Sequence, residues 1–142
     1  MIILDTNVLA ELMRPMPAPQ VVSWVSKQPV IELFTTSITE AEIFYGVELL
    51  TKGKRRDGLL AAAEAMFDED FAGRILDFDS DAARAFSRIA ARRRSLGKPI
   101  SHPDAEIAAI AQLRGATLAT HNVADFANCE IRLIDPWRGT NA

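Results

Sequence analysis

Short apolar runs alternate along the chain with longer segments of helical periodicity, and that alternation constrains the fold more than any other feature. Residues 2–4, Ile-Ile-Leu, form a continuous apolar run of the kind a buried parallel strand shows. Asp5-Thr6-Asn7 then supplies capping side chains for a helix to about Met13. Pro15, Pro17 and Pro19 mark a loop, and Pro19 can open a second helix carrying Val21, Val22, Trp24 and Val25. A second strand is expected at residues 32–36. Thr39 and Glu42 have the spacing of a capping box heading a helix to about Thr51, and a further helix over residues 54–71 completes a helical hairpin. Residues 74–78 read as a strand, residues 79–96 as an amphipathic helix stopped by Gly97. Ser101 or His102 caps a helix started by Pro103 and ended by Gly115. Residues 117–120 and 131–134 are the last strands, separated by a polar loop with Asn122, Asp125 and Asn128. Strands alternating with helices imply an α/β fold on a parallel sheet.

At 142 residues and 49% hydrophobic content the chain suits one domain with its own core and no linker, ending in a loose tail at residues 138–142. Cys129 is the only cysteine, so no intrachain disulfide can form, and no Cys/His array has zinc-ligand spacing. The start of the chain lacks a basic flank, a long apolar stretch and a cleavage site, and no later segment approaches a membrane span. The expectation is a soluble cytoplasmic protein. A net charge of -3 argues against holding nucleic acid by bulk attraction. Basic residues nevertheless collect at Lys52, Lys54, Arg55 and Arg56, and again at Arg84, Arg88, Arg92, Arg93, Arg94 and Lys98. A solvated helix face and a backbone-gripping surface explain these clusters equally well.

The acids carry the functional argument. Ligands of open α/β sheets bind beyond the carboxyl ends of the strands, where Asp5 follows the first strand and Asn122 and Asp125 follow the fourth. Glu42 is spaced at helical intervals from Ile38, Tyr45 and Leu49, which puts it on an inward-facing stripe. Asp104 repeats the pattern with Ile107, Ala108 and Ala111, in a first helical turn that favours negative charge. Each acid also has a plain structural explanation as a helix cap or turn former. Together they suggest convergence, because no Lys or Arg stands beside them in sequence. Bringing two like charges to about 4 Å costs roughly 4 kcal/mol at an effective dielectric near 20. Against a native stability of only about 5–15 kcal/mol, such a cluster has to bind cations or take up protons. Hard oxygen ligands select Mg²⁺ or Mn²⁺, whose chemistry serves phosphodiester hydrolysis.

The segments MIILDTNVLAEL, TEAEIFYGVELL, HPDAEIAAIA and LATHNVADF, in that order, resemble the PIN-domain nucleases, and most of all the VapC-type toxins of bacterial toxin-antitoxin pairs. The resemblance runs from Ile2 to Trp137, including FAGRILDFD and the DPW near the end. It implies a three-layer sandwich over residues 1–137, with a central parallel sheet of about five strands flanked by helices. It further implies RNA cleavage by metal-activated water, a homodimer, and inhibition by a small antitoxin. Carried over, the metal-binding acids fall on Asp5, Glu42 and Asp104, with Thr6 and Thr120 as hydroxyls near metal or phosphate and Asn7 in support. Where many relatives carry a fourth Asp, two residues after Thr120, this chain has Asn122, and the nearest acid is Asp125. His102-Pro103 before Asp104 is a second departure from the family pattern.

Rival readings lack a needed residue. An aspartyl-phosphate phosphatase requires a second acid two residues after Asp5, where Asn7 stands. A receiver-type switch would lack Glu42 and need a Lys after the last strand, where Asp135-Pro136-Trp137 stands. Within the nucleases, a housekeeping RNA-processing enzyme or a DNA-cleaving relative would use the same acids. The apolar surplus of the 38–71 hairpin, notably Phe44, Val47, Leu59, Leu60, Met66 and Phe67, marks it for dimer and antitoxin contacts or for core packing.

Overall fold

A computed structural model describes residues 1–141. Its elements follow the expected alternation: β1 (Ile2–Leu4), α1 (Thr6–Leu12), α2 (Pro19–Ser26), β2 (Leu33–Thr36), α3 (Ser37–Glu48), α4 (Lys54–Ala65), β3 (Ile75–Leu76), α5 (Ser80–Ser95), α6 (His102–Arg114), β4 (Thr117–Ala119), β5 (Arg132–Asp135) and β6 (Thr140–Asn141). One six-stranded sheet has the order β3-β2-β1-β4-β5-β6, parallel except for β6.

Alternation along each strand builds the three layers. Ile3 and Leu118 enter a core with Ala85 and Ile89 of α5 and Ile107, Ala108 and Ile110 of α6. Their neighbours Leu4 and Ala119 point the other way, into a core with Val8 and Leu9 of α1, Val21 of α2, Ile43 of α3 and Phe67 after α4. From β1 the chain builds outward through β2 and β3, then crosses to the opposite side of β1 to make β4. The crevice between the carboxyl ends of β1 and β4 is therefore the topological switch point of the sheet.

Several details differ from the sequence expectation. Thr36, not Thr39, caps α3: its Oγ1 accepts the Thr39 N–H at 3.1 Å. Two threonines three residues apart both suit a cap, and the end of β2 at Thr36 decides between them. Tyr45 and Leu49, placed by periodicity on an inward stripe with Glu42, are 66% and 68% exposed; the buried residues of α3 are Thr39, Ile43 and Val47. The helix expected over residues 54–71 changes after Ala65 into a π turn over Met66–Asp70. Val47, Met66 and Phe67, offered above as contact residues, are core residues. What the hairpin leaves open is a groove of about 620 Å³ against α1, lined by Ala10, Met13, Ile43, Leu50 and Leu59 among others. Arg93 is not part of the exposed basic face of α5 but is buried. The expected loose end is paired instead: β6 runs antiparallel to β5, with Thr140 opposite Asp135. Ala142, the last residue of that stretch, lies outside the described residues.

Gly115 ends α6 in the left-handed conformation at φ 59, a geometry the sequence expectation of a glycine stop requires. Gly115→Ala is expected to lower stability by about 1 kcal/mol, through backbone strain alone because its Cβ meets nothing within 4 Å. A denaturant midpoint unchanged by the substitution would contradict that assignment.

Candidate active site

Asp5 occupies the switch-point crevice. Its backbone N–H continues the β1–β4 ladder by donating to the Ala119 carbonyl at 2.9 Å, so the register of the sheet sets where its side chain begins. Only 3% exposed, the carboxylate is held at both oxygens. Oδ1 accepts the Thr6 N–H at 2.8 Å, which is the cap of α1; Oδ2 accepts the Thr120 hydroxyl at 2.7 Å and the Asn7 Nδ2 at 3.1 Å. The cap and the buried acid are thus the same residue.

The hydroxyl of Thr120 is fully used. It donates to Asp5 and accepts from Asn7 Nδ2 and from the Asn122 N–H, each at 3.1 Å. Asn7 closes the tie by accepting the His121 N–H at 3.1 Å through Oδ1. Thr6, on the other side of Asp5, donates its hydroxyl to Glu42 Oε1 at 2.7 Å and lies 3.0 Å from the Thr39 hydroxyl. Both threonine hydroxyls expected near metal or phosphate therefore hold carboxylates in place.

Asp104 stands in the first turn of α6, half-buried, with its N–H capped by Ser101 Oγ at 3.3 Å. Its neighbours on the helix, Ile107, Ala108 and Ala111, are fully buried, as the periodicity predicts. Asp125 and Glu42 press on it electrostatically, and Asp104 and Glu42 press on Asp5. The fold thus brings all four predicted acids into one field. Asn122 contributes its backbone to the Thr120 network and opens the turn that carries Asp125, whose N–H bonds the Asn122 carbonyl at 3.0 Å.

The cost of this arrangement appears in the protonation equilibria. Burial, followed by the neighbouring Asp104 and Glu42 charges, raises the Asp5 pKa from 3.8 to about 6, even though the Thr120 and Thr6 hydrogen bonds pull it down. Burial likewise raises the Asp104 carboxyl, with Asp125 and Glu42 adding to the effect and Ser101 and Arg93 opposing it. A buried excess of negative charge with oxygen donors only is chemically suited to a hard divalent cation. Among the described residues no three His, Cys, Asp or Glu side chains close into a finished metal cage.

Residues 2–129 match the PIN-domain family. The chain belongs to it. This PIN domain is 36% identical over 137 residues to Toxin FitB of Neisseria gonorrhoeae, covering 96% of this chain and 99% of that protein. It is also 36% identical over 137 residues to VapC ribonuclease Y4jK of Sinorhizobium fredii, covering 96% and 98%. Among solved structures it superposes on a chain of FitAB bound to an IR36 DNA fragment with a TM-score of 0.90 at 36% identity, covering 96% of both chains.

Two contributors to the PIN domain's acidic site, Thr39 and Arg93, lie outside the sequence expectation. Thr39 was read as a cap, and its approach to Thr6 needs the β1–β2 pairing to be known. Arg93 did leave a signal: it shares helical spacing with Ala82, Ala85 and Ile89, the buried face of α5. No helix among the described residues is long and apolar enough to cross a membrane.

Proposed function

We propose that this PIN domain is a divalent-metal-dependent endoribonuclease acting as the toxin of a toxin-antitoxin pair. The observation that carries the reading is Asp5, a carboxylate buried at the switch point and pinned by three hydrogen bonds although neighbouring negative charges oppose its ionisation. A fold that only needed a cap there would do better without the charge. The relatives' names, toxin and ribonuclease, support the same reading.

In this reading Asp5, Glu42 and Asp104 hold the ion, Asp125 adds the fourth charge, and Asn122 assists from the turn. Mg²⁺ is the assigned ion and Mn²⁺ its substitute. When bound, such an ion activates water for attack and neutralises charge on the phosphate. The protein's own work is positional. Thr120 and Asn7 fix Asp5, Thr6 fixes Glu42, and the α6 N-terminus aims Asp104. RNA is the substrate, held along its backbone by exposed basic residues such as Lys52, Lys54 and Arg55, and by Arg88 and Lys98. The antitoxin contacts the groove between α1, α3 and α4, and the toxin works as a homodimer in the cytoplasm.

The test is cleavage of structured and single-stranded RNA by antitoxin-free protein with Mg²⁺, Mn²⁺ or EDTA. Metal-dependent cleavage that vanishes in Asp104→Asn is the expected result. Asp125→Asn is expected to abolish cleavage, whereas Asn122→Ala only weakens it. Undiminished cleavage in EDTA, or full activity in Asp104→Asn, would remove the metal mechanism.

A further inference from the structure

Directly after Thr120 in the chain stands a group with no part in the mechanism so far. The His121 imidazole stacks on the Trp137 indole, with ring centroids 4.3 Å apart and planes inclined by 31°. Its Nδ1 is hydrogen bonded to Asp135 Oδ1 at 3.3 Å, and Asp135, only 4% exposed, also accepts the Trp137 N–H at 2.9 Å. The ring is therefore held on one face by an aromatic and at one edge by a buried carboxylate. Its side chain is still 51% exposed. Stacking and the hydrogen bond offset the side-chain freedom lost, and the ring is held in one orientation while half of it stays open to solvent.

The position matters as much as the constraint. His121 follows Thr120 directly, and its N–H is taken by Asn7, whose amide also bonds Asp5. The backbone that carries the ring is therefore tied through Asn7 to Asp5, next to Thr120 in the chain. Single-stranded RNA is gripped by aromatic and histidine faces on which unstacked bases lie flat.

Resting on the nuclease reading above, the structure assigns His121 as a substrate-contacting residue that stacks a nucleobase beside the scissile phosphate, with Asp135 and Trp137 as the residues that orient it. The contact is made through the outer ring face, so it works in substrate binding more than in the chemical step. It favours substrates whose bases are unpaired at the cut.

The experiment compares the parent protein, His121→Ala and His121→Phe. Each is assayed for KM and kcat on a fluorescein-labelled single-stranded oligoribonucleotide of mixed sequence. Binding of the same strand is measured by anisotropy in an Asp104→Asn background, where it stays intact. Stacking losses correspond to about tenfold weaker binding. His121→Ala is expected to raise KM and the dissociation constant about tenfold with kcat little changed, while His121→Phe, which keeps a flat ring over Trp137, restores most of both. In a Trp24→Phe background, where Trp137 is the remaining tryptophan, emission is expected to change on RNA addition with His121 present and not in His121→Ala. A merely structural His121 would lower the melting temperature and leave KM, the dissociation constant and the emission response untouched; that result overturns the assignment. Loss of kcat alone, with no Phe rescue, overturns it too. If the parent protein neither cleaves nor binds the strand, the nuclease reading itself fails and the assignment falls with it.

Discussion

Asp5→Asn is expected to abolish RNA cleavage and, at pH 7 without divalent ions, to raise thermal stability. The two effects have one cause. Burial lifts the folded-state pKa of Asp5 from 3.8 to about 6, a gap equivalent to about 3 kcal/mol. Because the folded pKa lies above the unfolded one, the native state binds this proton more tightly, and stability falls as pH rises between about 4 and about 6. Above that window the full penalty is present. Asparagine cannot ionise, so it escapes the penalty, while losing one acceptor in the Thr120 and Asn7 network at about 1 kcal/mol. A net gain of about 1–2 kcal/mol remains at pH 7, and none at pH 4. Thermal melts of both proteins at the two pH values measure it. Adding Mg²⁺ or Mn²⁺ is expected to raise the melting temperature of the parent and not of the variant, since an ion that binds the charged site offsets the same repulsion. If Asp5→Asn melts below the parent at pH 7, the hydrogen bonds outweigh desolvation and the account of Asp5 is wrong.

Arg93→Met is expected to be the most destabilising single change discussed. Arg93 is 5% exposed, and its guanidinium ties three stretches of chain together through carbonyls. Nε donates to Lys98 at 2.7 Å; Nη1 donates to Asp125 at 2.7 Å and to Ala127 at 3.0 Å. Methionine fills much of the volume but leaves these acceptors without donors. Charge-assisted bonds contribute roughly 1.5–3 kcal/mol each, so a loss of about 3–5 kcal/mol follows after partial relaxation. For a chain of this size that is a fall in melting temperature on the order of 10–20 °C. The residual folded protein is expected to be impaired as well, because the turn carrying Asp125 has lost its anchor and Asp104 has lost a cation that opposes its raised pKa. Melting by circular dichroism, with activity normalised to folded fraction, separates the two effects. A drop of only a degree or two would show the carbonyls finding other donors.

Much of this was legible in the sequence, and the boundary is physical. Periodicity and caps are local, so α5 and α6, the stop at Gly115 and the alternation of strands and helices along the chain could be read directly. The positions of Asp5 at a strand end and of Asp104 on the buried face of α6 were legible because strand ends and helix faces point in known directions, whereas the stripe assigned to Glu42 was not the buried one. Contacts between residues far apart in sequence were not. Nothing local says that Thr6 bonds Glu42 or that His121 stacks on Trp137. Where two local rules competed, the sequence could mislead. Thr39 fitted a capping box although Thr36 is the cap, and Tyr45 and Leu49 fitted a stripe that the fold leaves exposed. At Arg93 the charge suggested surface although its spacing fell on the buried face.

The Thr120–Asp5 bond joins residues 115 positions apart, across the central pair of the sheet. A growing chain makes β1 first, yet the strand that completes its far side is among the last to be synthesised. Until then Asp5 has no Thr120, and the turn bearing Asp125 does not exist. A site wired in this way cannot assemble until the segment carrying Thr120 and Asp125 has been synthesised and has paired with β1.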